Sequence, residues 1–332
     1  MSEALLTVSG LKLHFVQRYG VFKQHRSTVR AVDGVDLEIL PGETLGLVGE
    51  SGCGKSSLGK ALLKLHQPNA GNIWYRQHNL ATLSQAELRP LRAKLQMVFQ
   101  DPYESLNPRH TIEHVLEEPF IVHKQGDRHA RRQKIEALLD LVGLGHNALS
   151  KYPHEFSGGQ RQRIGIARAI ALEPELLICD EAVSSLDVSV QAQIINLLLK
   201  IQQQMGLAML FISHDLSVVR HISDRIAVMY KGKLVEQGDA QALCDAPAHP
   251  YTRALLNSVP RLGHDWMAAE VASGEVDTQT GQSETACAFA PRCPRVQALC
   301  LKREPELIAV SRDSTPRFAA CHFPEPGFSV SP

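Results

Sequence analysis

Three features of the chain point to an α/β fold built on a mainly parallel sheet. Short apolar runs recur at 44–48, 176–180, 208–213 and 225–230, each fit for a strand buried on both faces. Between them lie longer stretches whose apolar residues repeat at helical spacing, above all 189–205. The first run leads straight into a glycine-rich loop that opens a helix. Strand alternating with helix is the pattern of a parallel sheet.

Taken in order, 5–15 reads as a strand, 19–30 as an exposed loop with a basic cluster, and 31–40 as a half-buried strand through Val32, Val35, Leu37 and Ile39. Pro41-Gly42 turns the chain into the strand 44–48, and a helix follows at 57–63. A short strand at 95–100 ends in the breakers Asp101-Pro102 and Asn107-Pro108. From 111 to 172 the spacing is helical, as in Ile112, Val115 and Leu116 or Ile135, Leu138, Leu139 and Val142, and predicts an inserted helical lobe. Residues 263–286 are polar and aperiodic and read as a connector; 287–332 hold four cysteines and form a small extension. The resulting division is 1–110 and 173–245 for the two parts of the α/β core, 111–172 for the helical lobe and 246–332 for the C-terminal extension.

The 332 residues, 44% hydrophobic, suffice for a large domain with an appendage. Thirty-five basic and thirty-five acidic residues cancel, so no global field draws the chain to nucleic acid or anionic lipid. No apolar run reaches membrane-spanning length and the N-terminus lacks a signal-peptide pattern, which predicts a cytosolic location. Seven cysteines, an odd number, suit thiols or metal ligands better than a disulfide framework.

The loop reads Gly49-Glu50-Ser51-Gly52-Cys53-Gly54-Lys55-Ser56-Ser57, matching G-x-x-x-x-G-K-[ST]. Glycines let successive N–H groups converge on an anion, and the helix start adds positive potential. Lys55 is expected to reach the β- and γ-phosphates of ATP, and the Ser56 hydroxyl to ligate Mg²⁺. The strand 176–180 ends in Asp180-Glu181. Asp180 is placed to hold Mg²⁺ and Glu181 to orient or deprotonate a water attacking the γ-phosphate. A second anion-binding helix start lies at Ser157-Gly158-Gly159-Gln160, with Ser157 as N-cap. Cys53, at an electropositive loop, has the setting of an oxidisable thiol.

With these motifs the chain resembles the ATP-binding cassette (ABC) family of P-loop ATPases over about residues 4–262, although Phe156 stands where the family's signature usually has Leu. The resemblance implies further roles. Gln100 is the Q-loop glutamine, a catalytic and Mg²⁺-contacting residue; Ser185-Leu186-Asp187 is the D-loop, with Asp187 at the nucleotide; His214 is the H-switch histidine; Phe15 stacks on adenine. It also implies two chains meeting head to tail, each ATP lying between one chain's loop and the other's signature.

The run 100–109 and Ala248-His249-Pro250-Tyr251-Thr252-Arg253-Ala254-Leu255-Leu256 resemble ATPase subunits of dipeptide and oligopeptide importers, most closely the second dipeptide ATPase. The implied partners are a sister ATPase, two membrane permeases and an external binding protein, with the chain peripheral on the cytoplasmic membrane face and no nucleic acid bound. Nickel or another small solute is the alternative cargo; a soluble ATPase acting on nucleic acid or ribosomes is a weaker alternative.

Cys287, Cys293, Cys300 and Cys321 offer four thiolates for a [4Fe–4S] cluster or Zn²⁺, though the C-x-x-C pairs usual for zinc are missing and unligated thiols remain an option. Peptide-importer ATPases resemble the chain here, and the resemblance implies an iron–sulfur cluster.

Overall fold

A computed structural model describes residues 3–19, 25–101, 106–184, 186–257, 286–311, 317–325 and 329–330. Residues 102–105, Ser185 and most of the connector 263–286 lie outside the described residues. β1 (Leu6–Tyr19) and β2 (His25–Ile39) form a long antiparallel pair, Leu6 opposite Ile39 and Tyr19 opposite His25. Leu6, Val8, Leu11 and Leu13 of β1 face inward and are buried with Val32, Val35, Leu37 and Ile39 of β2. The expected loop at 19–30 is therefore corrected at its C-terminal end, where strand begins at His25. Residues 27–30 are exposed, so no apolar face announces the strand; the ladder with β1 imposes it.

β3 (Thr44–Val48) leaves this layer for a central sheet and leads to α1 (Lys55–Leu62). β4 (Ala70–Tyr75) and β5 (His78–Asn79) return to the first layer, giving a four-stranded antiparallel sheet in the order β2-β1-β4-β5. The sequence reading made no strand of 70–75, where polar residues and Gly71 interrupt the pattern. α2 (Gln85–Leu91), opened by a Ser84–Glu87 capping box, precedes β6 (Leu95–Val98).

The helical segment comprises α3 (Ile112–Val122), α4 (Arg128–Val142) and α5 (Gly158–Ile170), N-capped by Thr111, Asp127 and Ser157. β7 (Leu176–Asp180), α6 (Val188–Met205), β8 (Ala208–Ser213), α7 (Leu216–Ile222) and β9 (Arg225–Tyr230) complete the alternation. β10 (Lys233–Asp239), α8 (Ala240–Asp245), α9 (Pro250–Asn257), β11 (Ile308–Ser311), β12 (Arg317–Ala319) and β13 (Ser329–Val330) follow.

The central sheet runs β13-β11-β12-β10-β9-β3-β8-β7-β6. Strands β9, β3, β8, β7 and β6 are mutually parallel, and β10 to β13 extend the sheet antiparallel. Buried faces alternate along the parallel strands. Leu176, Ile178, Leu210 and Ile212 join α1 and the first sheet in one core, whereas Leu177, Cys179, Met209 and Phe211 join the helical segment in another. Register aligns Val48 with Ser213 and Asp180 with Ile212, so these strands finish along one edge.

Behind that edge, α9 starts on a buried polar pair. The Glu236 carboxylate accepts the N–H groups of Ala248 (2.7 Å) and His249 (2.9 Å), and burial pushes its carboxyl up to about 7. The His249 Nδ1 accepts the Tyr251 N–H at 3.0 Å, and burial pushes its imidazole down to about 4, keeping it neutral.

The two groups act on stability in opposite senses. From an ordinary 4.5, the raised Glu236 contributes stability that is full below that pH and is lost as pH rises through about 7. From an ordinary 6.5, the depressed His249 contributes stability that is full above that pH and is lost as pH falls through about 4. Glu236→Gln keeps an acceptor and removes one member. Relative to the parent, its unfolding free energy should climb by on the order of 3 kcal/mol between about pH 4.5 and pH 7. Paired urea unfolding curves measure this, and a pH-independent difference between the chains would refute it.

Candidate active site

The five residues of β3 are fully buried, and the chain turns sharply at their end. At Gly49 an added Cβ would lie 2.2 Å from the Met229 carbonyl oxygen. Gly54 has φ 110°, and a Cβ there would lie 1.9 Å from the Ala31 carbonyl oxygen, so no side chain fits. The loop is pinned to the β9–β10 hairpin by the Gly232 N–H donating to the Cys53 carbonyl at 2.8 Å. α1 begins at Lys55 with Gly54 as N-cap and no side-chain cap, which leaves the first amides of the helix for an anion.

Lys55 is buried, and its amine donates to the carbonyls of Gly49 (2.8 Å) and Glu50 (2.9 Å). The Ser56 hydroxyl donates to the Asp180 carboxylate at 2.7 Å. Asp180 is 2% exposed; burial pushes its carboxyl up, opposed by the Ser56 bond and the charges of Lys60 and Lys55. Two hard oxygens in contact beside a helix N-terminus are a fitting donor set for Mg²⁺.

Glu181 follows Asp180 at φ 46°, a left-handed conformation rare for a residue with a side chain. Its N–H donates to the Ile212 carbonyl at 3.0 Å. The Gln100 amide donates to Glu181 Oε2 at 2.8 Å, and His214 Nδ1 stands 3.6 Å from Glu181 Oε1. The three residues assigned to catalysis thus come together from the ends of β6, β7 and β8.

Ser157 caps α5 in a reciprocal box with Gln160. A Cβ added at Gly158 would lie 3.4 Å from Leu186, and one at Gly159 2.5 Å from Val190, which sets the helix start beside Leu186-Asp187. Asp187 is the exposed N-cap of α6 without a side-chain cap bond, and its neighbour Val188 is 82% exposed. Phe15 is 37% exposed on β1 and meets His66 edge-on at 5.5 Å. Ser51 and Gly52 are at the loop's tip and Ser57 lies in the first turn of α1.

The expectation of an oxidisable Cys53 is corrected. The residue is buried, and desolvation raises its thiol despite the neighbouring Lys55 charge, the opposite of the lowered thiol and open access that oxidation favours.

Cys287, Cys293, Cys300 and Cys321 line one cavity of about 20 Å³. Burial raises the thiols of Cys287 and Cys293, and takes Cys321 up to about 12. In kind and convergence the donors fit a thiophilic centre. In spacing they do not, because no three His, Cys, Asp or Glu among the described residues are drawn together as an ion would hold them.

Two residues without a role in the motif reading reach the loop. The Tyr251 hydroxyl accepts the Glu50 N–H at 2.9 Å, and the Arg292 guanidinium forks onto the Glu50 carboxylate through two bonds of 2.8 Å. Tyr251 lies in a run already singled out, but Arg292 carries no local signal beyond standing next to Cys293.

A phosphate loop on β3, two carboxylates ending β7 and a capped helix start in an inserted helical segment define an ATP-binding cassette. Residues 32–184 match the family described as ABC transporter, and residues 235–300 the one described as oligopeptide/dipeptide transporter, C-terminal region. Among similar proteins, the oligopeptide transport ATP-binding protein AppF of Bacillus subtilis is 47% identical over 96% of this chain and 97% of its own length. The dipeptide transport ATP-binding protein DppF of Haemophilus influenzae is 43% identical over 91% and 92%. A dimeric ATP-binding cassette solved in a post-hydrolysis state with ADP and Pi superposes with a TM-score of 0.63 at 26% identity, covering 71% of this chain and 98% of that one. The chain belongs to the oligopeptide/dipeptide branch of the ABC transporter ATP-binding proteins.

Gly54→Ala tests the loop geometry. The methyl group meets the Ala31 carbonyl at a positive φ, a strain of about 1–3 kcal/mol before the clash is counted. ATP affinity, measured by titration with a fluorescent ATP analogue, should fall by about tenfold or more; parent-like affinity would show that the loop tolerates a side chain there.

Proposed function

We propose that the chain is the ATP-hydrolysing subunit of an importer of dipeptides or oligopeptides. The observation that carries the reading is Glu181 held between Gln100 and His214 at the same sheet edge as the phosphate loop. The loop amides and Lys55 bind the phosphates of ATP, and Phe15 stacks on the adenine through its exposed face. Ser56, Asp180 and Gln100 would hold Mg²⁺, which when bound would neutralise charge on the β- and γ-phosphates. Glu181 accepts the proton of the attacking water, while Gln100 and His214 fix its carboxylate and meet the γ-phosphate side.

The second half of the site comes from a partner ATPase, whose counterpart of Ser157-Gly158-Gly159-Gln160 closes over the nucleotide, with Asp187 at the seam. Exposed Asp187 and Val188 at the start of α6 support that pairing. Division into a core (1–110 and 173–245), a helical lobe (111–172) and an extension (246–332) follows from the same reading. No helix among the described residues is long and apolar enough to cross a membrane, so two permeases would provide the path and an external binding protein the cargo. The chain would then sit peripherally on the cytoplasmic face. For the four cysteines we propose a [4Fe–4S] cluster with a structural role, supported by four thiols lining one cavity and requiring that they draw closer together when the cluster binds.

Glu181→Gln should leave ATP affinity unchanged and lower turnover by about 10²–10⁴-fold, measured as phosphate release by the assembled transporter. Parent-like turnover would remove Glu181 from its role. Uptake of labelled dipeptides, oligopeptides and Ni²⁺ by a deletion strain tests the cargo; loss of Ni²⁺ uptake alone would overturn the peptide reading. Iron and acid-labile sulfide assays on anaerobically purified protein should both be positive, and zinc or no metal would refute the cluster.

A further inference from the structure

We propose that the cysteine-bearing C-terminal lobe is a strut for the phosphate loop, with Arg292 and Tyr251 as positioning residues for ATP binding. The proposal rests on the ATPase reading above and adds residues that lie outside its machinery. Glu50 is the first residue after the loop's leading glycine, and both of its polar ends are taken from outside the loop. Its N–H is held by the Tyr251 hydroxyl, and its carboxylate by both arms of the Arg292 fork. Bidentate, charge-assisted pairs fix direction as well as distance.

The struts are themselves braced. Tyr251 is fully buried, with its ring 4.6 Å from Tyr230 and 5.4 Å from Phe289. The Arg292 guanidinium lies 6.0 Å from the Tyr230 ring and 5.8 Å from the Phe289 ring, close enough for cation–π attraction. Arg292 ends a 3₁₀ turn, Ala290–Arg292, that begins three residues after Cys287 and is followed at once by Cys293. Arg292 thus lies in sequence between two of the four cysteines, on a turn closed by the Arg292 N–H donating to the Phe289 carbonyl at 3.0 Å.

Glu50 precedes the amides that would take the phosphates, and its carbonyl accepts from both Lys55 and the Cys53 N–H. Fixing Glu50 orders the loop before ATP arrives, so less ordering is charged against binding. Without the strut the loop samples other conformations and affinity falls, while the hydrolytic residues of β6, β7 and β8 are untouched.

A double-mutant cycle on the full-length chain tests this, with Kd read by titration of a fluorescent ribose-modified ATP. Arg292→Ala should raise Kd about tenfold with a melting temperature near the parent's, and Tyr251→Phe should also raise it. In a Glu50→Ala background, Arg292→Ala should change Kd by less than about twofold, because its partner has gone. An Arg292→Ala chain with parent affinity would overturn the proposal. So would an equal loss in the Glu50→Ala background, which would assign Arg292 a packing role on Tyr230 and Phe289. Arg292→Gln, which keeps the stem over the rings but loses the fork, should behave as Arg292→Ala; parent affinity in that variant would equally overturn it. A parent chain that binds no nucleotide would instead overturn the ATPase reading on which the proposal stands.

Discussion

Along β3, β8 and β7 the backbone hydrogen bonds set Val48 opposite Ser213 and Asp180 opposite Ile212, so that Gly49, Glu181 and His214 emerge from one sheet edge. Ligand sites of parallel sheets gather at this edge. Alternation makes the register unforgiving. Asp180 shares its face with Ile178, toward α1 and Ser56, whereas Cys179 faces the helical segment. A slip of one residue would present a thiol to Ser56 and bury the carboxylate among Leu177 and Phe211. The parallel ladders of β7 with β6 and β8 run the length of the strand, and the polar ends Asp180 and Ser213 mark the register that the apolar residues alone would leave open.

The strand's alternation would also send Glu181 away from Asp180. Its positive φ breaks the alternation, and both carboxylates come to the same edge at a cost of backbone strain. The Glu181 N–H on the Ile212 carbonyl holds the turn, and Gln100 and His214 flank the side chain. Strain here is local and is answered by neighbours from the two strands flanking β7, Gln100 after β6 and Ile212 and His214 of β8 and its end. A surface Asp-Glu pair would have none of these supports.

How much of this could be read from the chain depended on whether the determinant was local. The strands 176–180, 208–213 and 225–230 are unbroken apolar runs with polar ends, and they are observed with those limits. Ser157 as an N-cap was equally legible, since capping involves only residues three apart. The strand from His25 to Arg30 was not, because its residues are polar and their conformation is set by pairing with β1. Nor were the contacts on Glu50, whose partners lie 201 and 242 positions away. Cys53 shows the same limit: its electropositive neighbours are visible in the sequence, but the burial that outweighs them is not.

Glu50 lies in the stretch that matches the ABC transporter family, and Tyr251 and Arg292 both lie in the stretch that matches the peptide-transporter C-terminal region. The two matched regions therefore meet on one residue of the phosphate loop. That gives physical content to the run Ala248-His249-Pro250-Tyr251, which on its own reads as a turn before a helix. Glu236 takes the N–H groups of Ala248 and His249, neutral His249 takes that of Tyr251, and the helix start so fixed aims the Tyr251 hydroxyl at Glu50. The bonds at Ala248, His249 and Tyr251 are buried and the last, to Glu50, is partly buried, so a change at Glu236 or His249 leaves buried N–H groups unsatisfied and loosens the aim of Tyr251. An extension that merely decorated the cassette would have no need of such a chain of bonds ending at its phosphate loop.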